Sequence, residues 1–123
     1  MSAVQSRPTP QNPLTGVFLF MHFIYIIYSE KLDRFYTGET LDIAKRIAEH
    51  NSGFFKRSST SIASDWELKK IFKVNNRIEG RKVEAYIKGM KSKIFLKKLI
   101  ENNAFYFEFK NLVKEKFDVT IQD

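Results

Sequence analysis

The longest apolar run of the chain lies near its start and predicts a strand. Residues 17–28 read VFLFMHFIYIIY and are apolar except for His22. A membrane-spanning helix needs about 20 such residues, whereas Phe, Ile, Tyr and Val favour a buried strand. We therefore predict a first strand over Phe23–Tyr28. A second strand over Arg34–Gly38 follows a short polar connection, which indicates an antiparallel hairpin.

The next apolar positions follow a helical period. They are Leu41, Ile43, Ala44, Ile47 and Ala48. This spacing places them on one face of a helix. Thr40 is predicted to cap the helix, with Asp42 in the first turn opposing the helix dipole. The sequence Asn-Ser-Gly at residues 51–53 is predicted to end it.

The second half of the chain predicts one strand followed by helices. Alternation from Trp66 to Val74 suits a third strand, and Asn76 with Glu79 resembles a capping box. Positions expected to face the core are Val83, Tyr86, Ile87 and Met90 in the helix after this box, and Ile94, Phe95, Leu99 and Ile100 in a further helix from about Ser92 to Glu101. The tail over residues 104–117 fits either a last helix or a strand.

The predicted element order is β-β-α-β-α-α, which indicates an α+β fold with a three-stranded, mainly antiparallel sheet flanked by helices. Residues 1–20 are polar at first and hold all three prolines, so we interpret them as a disordered leader. The domain itself is expected over residues 21–101. Residues 102–123 form a C-terminal extension, for which we favour a helix.

The composition limits the class of binding partner more than it limits the fold. The 123 residues suit one domain, and without cysteine neither a disulfide nor a thiolate metal site is available. A formal net charge of +7 favours phosphate-bearing partners, with nucleic acid first and an anionic membrane second. Ordinary solubility also explains such a charge. The chain lacks the basic first region of a signal peptide, and we expect a cytoplasmic protein.

Five polar residues on these elements suit hydrolysis of a phosphodiester. They are Tyr25, Tyr36, Arg46, His50 and Glu84. Arginine offers planar, permanently charged donors that match phosphate oxygens, and a carboxylate can hold a hard cation such as Mg²⁺. A tyrosine or histidine can orient a water molecule or accept its proton. Taken singly, each residue also has an ordinary structural explanation, because strands favour tyrosine and helix surfaces favour charge.

Arg46 and His50 lie four residues apart and share a helix face. The helical period places both beside Ile43, at the edge of the apolar stripe, and it places Glu84 at the edge of a later stripe. Edge positions of this kind can reach a cleft without being buried in the core.

The arrangement of these residues resembles the GIY-YIG nuclease family. The first motif is present as Phe23-Ile24-Tyr25, and the second, 11 residues later, as Tyr36-Thr37-Gly38. Phe23 replaces the first glycine of the family, and Thr37 replaces an isoleucine. The segment from Arg46 through His50 and on to Gly53 is similar to the helix that follows, and RKVEAYIKGMKS resembles the helix whose glutamate binds metal, with Glu84 in that place.

The resemblance covers residues 21–100 and implies a Mg²⁺- or Mn²⁺-dependent endonuclease acting on DNA, with branched or damaged DNA as candidate substrates. The similarity is to small stand-alone bacterial members and to the nuclease domain of the nucleotide-excision-repair endonuclease. It implies that Arg46 clamps the scissile phosphate and that Glu84 holds the metal. Tyr25 or Tyr36 would position or deprotonate the water with assistance from His50, and the sequence does not decide between the two tyrosines. Gly38 is expected to have a structural role in its motif.

Basic residues outside the motifs are candidates for contacts with the DNA backbone, which would make binding salt-dependent. They are Lys45, Lys56, Arg57, Lys69 and Lys70. No second DNA-binding domain is recognisable, so we expect a separate partner protein to supply specificity. One alternative is a non-catalytic nucleic-acid-binding module with the same fold. Another is a membrane-surface protein anchored by residues 14–28, which the strand-like pattern of that run disfavours.

We predict that removing residues 1–20 leaves the stability of the domain unchanged, because the segment is polar and proline-rich and Met21 offers a second start. Thermal unfolding of the full chain should match that of a chain beginning at Met21. A loss of several degrees on truncation would show that the leader packs on the domain.

Overall fold

The computed structural model describes residues 21–53 and 59–123, which form a three-stranded antiparallel sheet and four α-helices. The elements are β1 (His22–Ser29), β2 (Arg34–Thr40), α1 (Ile43–Ser52), a short 3-10 helix (Ser59–Ile62), β3 (Glu67–Val74), α2 (Arg77–Met90), α3 (Lys93–Glu101) and α4 (Asn103–Phe117). The predicted α+β class and element order are confirmed. The tail, for which both helix and strand were open, forms α4.

The central strand β1 organises the sheet, whose order is β2-β1-β3 with both pairs antiparallel. Residues 24–27 are all buried, because both faces of β1 are covered. Ile24 and Ile26 point to one face, and Tyr25 and Ile27 point to the other. Tyr25, a candidate site residue, therefore lies on the face opposite the larger core.

The larger core lies between the sheet and the helices α2, α3 and α4. Its fully buried members include Phe72 and Val74 from β3, Val83 from α2, Leu99 from α3 and Val113 from α4. Val119 and Ile121, which follow α4, also belong to it. This core therefore covers one whole face of the sheet.

The smaller core lies under α1 and the segment before β3. Tyr25 and Ile27 pack there against Ala63 and Trp66. The Asn51 side chain clamps the Trp66 backbone, because its Oδ1 accepts from the Trp66 N–H at 2.8 Å and its Nδ2 donates to the Trp66 carbonyl at 3.0 Å. This clamp fastens the end of α1 to the chain entering β3.

The predicted cap of α1 was wrong by two residues. Asp42 is the N-cap, with its side chain accepting from the Lys45 N–H at 3.1 Å, and Thr40 instead ends β2. The β2 pairing extends to Thr40, so the helix cannot begin until the chain leaves the sheet. Gly53 ends α1 in the left-handed conformation, as predicted.

The predicted box at the start of α2 is present in a modified form. Asn76 Oδ1 accepts from the Glu79 N–H at 2.9 Å, while Glu79 Oε1 accepts from the N–H of Asn75 at 3.0 Å rather than from that of Asn76. Two positions predicted to face the core are exposed instead. Met90 is the last residue of α2, and Ile94 lies in the first turn of α3, 70% exposed, because Phe95 and Leu99 define the buried stripe.

No helix among the described residues is long and apolar enough to cross a membrane.

Candidate active site

Tyr25 crosses the neighbouring strand at the position of a glycine. Tyr25 pairs with Gly38 in the β1–β2 ladder, and the phenol ring lies directly over that residue. A Cβ on Gly38 would overlap the ring and the hydroxyl oxygen of Tyr25. Gly38 is therefore required because the phenol needs the space, and not because the backbone turns there.

His50 lies in the last turn of α1, at hydrogen-bonding distance from the Tyr25 hydroxyl. The Tyr25 oxygen lies 2.8 Å from His50 Nε2, and His50 Nδ1 lies 2.8 Å from the hydroxyl of Thr60. His50 is only 2% exposed. The prediction that this edge position avoids burial was wrong, because the segment containing Thr60 and Trp66 covers the end of α1.

Tyr36 is half-buried and forms one wall of the same site. It lies on β2 with its ring centre 6.4 Å from that of Tyr25 and 5.0 Å from that of His50, edge-on to the imidazole. The ammonium of Lys88, from α2, lies 5.2 Å from the Tyr36 ring centre. The two motif tyrosines thus differ in environment, since Tyr25 is enclosed and Tyr36 borders the surface.

Arg46 lies one helical turn before His50 and reaches the same phenol. Its positive charge acts on the Tyr25 phenol and opposes the rise in that group's pKa, and its Nε lies 3.3 Å from Glu49 Oε1. The side chain remains about one-third exposed, so the guanidinium lies between the buried phenol and solvent. This position suits a group that contacts an anion arriving from outside.

Glu84 approaches from α2, at the side of the sheet next to β2. Its carboxylate is 18% exposed and lies 3.3 Å from the Lys88 ammonium. Its negative charge contributes to raising the pKa of Tyr25. The structure therefore brings Tyr25, Tyr36 and His50 into contact and places Arg46 and Glu84 within electrostatic reach of Tyr25.

Burial sets the protonation states of the two central groups. Desolvation, with smaller effects of Tyr36 and Glu84, raises the pKa of Tyr25 well above its usual value, although Arg46 opposes the shift. Desolvation and then the positive charge of Arg46 lower the pKa of His50 from 6.5 to about 4. At neutral pH the pair therefore consists of a neutral phenol and a neutral imidazole.

The predicted basic residues are distributed over different surfaces. Lys45 lines a cleft of about 360 Å³ together with Arg46 and Arg77. The ammonium of Lys70 lies over the Tyr106 ring, and Lys69 lines a cavity that also involves α3. Both β3 lysines thus lie on the side of the sheet that is remote from Tyr25. Lys56 and Arg57 lie outside the described residues.

Three residues of the site were not found from the sequence. Thr60 contacts His50 directly, Trp66 donates its indole N–H to the Thr60 carbonyl at 2.9 Å, and Asn51 clamps Trp66. Asn51 directly follows His50, and Trp66 is the sole tryptophan of the chain, which are weak signals. Nothing in the loop composition distinguishes Thr60 from its serine and threonine neighbours.

Comparison with protein families gives one match. The GIY-YIG catalytic domain matches residues 21–99. The chain belongs to the GIY-YIG family. Comparison with curated proteins and with solved structures gave no match. The family is one of nucleases that generally depend on a divalent metal, and the matched range contains all five of the candidate site residues.

The candidate residues of this GIY-YIG site suit a hard divalent cation that needs few protein ligands. No three His, Cys, Asp or Glu side chains come together as a cage anywhere in the described ranges. A hard cation such as Mg²⁺ does not need one, since it usually keeps several waters and takes one or two carboxylates together with phosphate oxygens. Glu84, partly buried beside Tyr25, is a suitable single carboxylate.

We predict that Gly38→Ala displaces the Tyr25 phenol, destabilises the protein by about 1–3 kcal/mol and impairs the site, because the new methyl group overlaps the ring. Chemical denaturation measures the loss. Gly89→Ala is the matched control, because a Cβ there meets nothing within 4 Å. It should be neutral or stabilising by up to about 1 kcal/mol in helix α2. Equal stability of the Gly38 variant and the parent would contradict the close approach.

We predict a pH-dependent stability from His50. Its folded pKa of about 4 lies below the usual 6.5, so the unfolded chain takes up a proton first as the pH falls. The free energy of unfolding should therefore be fully retained above about pH 6.5 and decrease by up to ~1.4 kcal/mol per pH unit down to about pH 4. Urea titrations across this range measure it, with His50→Gln as control. Identical pH profiles of the two proteins would refute the assignment.

Proposed function

We propose that this protein is a divalent-metal-dependent endonuclease that hydrolyses phosphodiester bonds in DNA. The observation that carries the proposal is the Tyr25 hydroxyl, which lies 2.8 Å from His50 Nε2 and is under the electrostatic influence of Arg46 and Glu84. A phenol with an acceptor behind it and a cation in front of it suits activation of water beside a phosphate.

Arg46 is the proposed phosphate clamp. Its planar guanidinium presents several N–H donors, so it can hold the Tyr25 oxygen and a phosphate oxygen together. Its partial exposure allows a phosphate to approach from solvent. The positive charge would offset negative charge that develops on the phosphorus oxygens in the transition state.

Tyr25, rather than Tyr36, is the proposed acceptor of the proton from water. Because its raised pKa disfavours a free phenolate, the phenol accepts the water proton while passing its own to His50 Nε2, 2.8 Å away. Tyr36 contributes the wall that packs against the imidazole. Since Tyr25 is only 1% exposed, the water must reach it beside Arg46.

Glu84 is the proposed metal ligand, for Mg²⁺ or Mn²⁺. When bound, the cation would stabilise charge on the phosphate and on the leaving oxygen. The nearby Lys88 ammonium pairs with the Glu84 carboxylate. Lys88 therefore holds the carboxylate in place before the ion binds.

The cleft beside Arg46 is the proposed path of the DNA backbone. Its acidic members are engaged internally: Asp42 caps α1, Glu49 pairs with Arg46, and Glu39 pairs with His22 and Arg81. Lys45 and Arg77 also line this cleft, and neither takes part in the ion pairs formed within residues 21–53 and 59–123. These two cations are therefore available to contact phosphates next to the one that is cut.

The substrate class that we propose to test first is branched or damaged DNA, as found in repair and recombination, with a separate protein supplying specificity. Plasmid, single-stranded and branched DNA should be incubated with the protein and Mg²⁺, Mn²⁺ or chelator. Incision that requires the metal supports the endonuclease. DNA binding without incision under every condition would instead support a non-catalytic nucleic-acid-binding module.

We predict that Arg46→Ala and Glu84→Gln each abolish incision but affect DNA binding differently. Both side chains are partly exposed, so each change should cost no more than about 1 kcal/mol of stability. Loss of Arg46 should weaken binding and lower the salt slope by about one. Glu84→Gln should bind DNA in chelator as tightly as the parent does.

The matched controls are Lys114→Ala for lost positive charge and Glu108→Gln for the lost carboxylate, both on the exposed side of α4. Neither should change incision or the salt slope. If Glu84→Gln cuts DNA at the parental rate with Mg²⁺, the metal assignment is wrong.

We also predict that the cleft, more than β3, contacts the DNA backbone. Lys45→Ala combined with Arg77→Ala should lower the salt slope by about two, because both cations border Arg46. Lys69→Ala combined with Lys70→Ala removes the same charge from the far side of the sheet and should have a smaller effect. Salt-dependent binding to one duplex compares them, and a larger effect of the β3 pair would reverse the assignment.

A further inference from the structure

Thr60, the buried neighbour of His50, indicates how the site is organised. We propose that Thr60 is a positioning residue, whose hydroxyl fixes His50 in the tautomer that has Nδ1 protonated and Nε2 free to accept the Tyr25 proton. The inference rests on the proposed endonuclease function for its consequence, but the tautomer itself is a property of the free protein.

The geometry defines a chain of three polar groups. Thr60 is fully buried, and its hydroxyl lies 2.8 Å from His50 Nδ1, while His50 Nε2 lies 2.8 Å from the Tyr25 oxygen. A neutral imidazole carries one N–H and one acceptor nitrogen. Either both hydrogen bonds therefore point from Tyr25 toward Thr60, or both point from Thr60 toward Tyr25.

The environment of Tyr25 indicates which direction is present. The Tyr25 oxygen already interacts with Arg46, which can only donate. The hydroxyl proton of a residue that is 1% exposed needs an acceptor, and His50 Nε2 is at hydrogen-bonding distance. The phenol therefore donates to Nε2, and Nδ1–H donates to the Thr60 oxygen.

The backbone of Thr60 is itself held in place by Trp66. Its carbonyl accepts from the Trp66 indole at 2.9 Å, and the Trp66 backbone is clamped by Asn51, the residue after His50. These contacts thus connect Thr60 back to α1, the helix that carries His50. These contacts keep the Thr60 hydroxyl beside His50 Nδ1, where its oxygen can accept the Nδ1 proton.

The opposite tautomer would disable the site. His50 Nε2–H would then donate to the Tyr25 oxygen and occupy a lone pair needed for the proton of the water. The phenol would also lose the acceptor for its own proton. Fixing the tautomer by the second ring nitrogen is the way a third group commonly orients a catalytic imidazole.

The experiment compares the full-length parent with Thr60→Val, which keeps the shape without the hydroxyl, and Thr60→Ser, which keeps the hydroxyl. Long-range ¹⁵N–¹H NMR of the histidine rings reports which nitrogen is protonated, and His50→Gln distinguishes the His50 signals from those of His22. The parent and Thr60→Ser should show protonated Nδ1 and free Nε2. In Thr60→Val the proton should move to Nε2 or be shared between the nitrogens.

Single-turnover incision on the same preparations gives the functional result. Thr60→Val should cut at least about tenfold more slowly at unchanged DNA affinity, and Thr60→Ser should restore most of the rate. A parent with protonated Nε2, or a Thr60→Val protein with the parental tautomer and rate, would overturn the inference. The parental tautomer needs no variant, so this result is obtained even if Thr60→Val fails to fold. If the tautomers behave as expected but the parent never cuts DNA, the proposed function fails and the role of Thr60 in setting the tautomer stands.

Discussion

The hydrogen bond between the Tyr25 phenol and His50 joins the central strand of the sheet to the first helix, and the site is built around it. It forms only because Gly38 leaves room for the phenol to cross β2. It also requires His50 to lie in the last turn of α1, where Gly53 ends the helix. Sheet, helix and turn are thus constrained by one buried contact.

Burial gives this contact its chemical character. In water a phenol ionises at about pH 10 and an imidazole gains a proton below about pH 6.5, and here desolvation moves both pKa values further from neutral pH. A buried polar group needs a hydrogen-bond partner, which explains why Thr60 lies against the imidazole and is held in turn by Trp66, itself clamped by Asn51. The charged members of the site, Arg46 and Glu84, remain at its partly exposed border.

The sequence predicts the fold well because its signals are local. The apolar run of β1, the alternation of β3 and the helical stripes of α2 and α3 each follow from the spacing of neighbouring residues. The errors occur where tertiary packing decides. Thr40 looks like a helix cap but is retained by the β2 ladder, and Ile94 is apolar but lies in a first turn that faces solvent.

The candidate site shows the same difference between features set by local sequence and features set by tertiary packing. Spacing and family resemblance identify the five polar residues, because they lie in motifs of fixed separation. Thr60 cannot be found in this way, since it lies in a short 3-10 helix that is distant along the chain from Tyr25, and it resembles its serine and threonine neighbours. The burial of His50 was also missed, because the helical pattern cannot show which segment will cover the end of a helix.

The two motif tyrosines provide the most direct test of the central role of Tyr25, since Phe in place of either one removes only a hydroxyl oxygen. Single-turnover incision of DNA with Mg²⁺ should be measured for Tyr25→Phe and Tyr36→Phe, together with thermal unfolding and DNA affinity. We expect Tyr25→Phe to slow incision by about 10²–10⁴-fold, while Tyr36→Phe stays within about tenfold of the parent. A larger loss in Tyr36→Phe, or a parental rate in Tyr25→Phe, would contradict the central role of Tyr25.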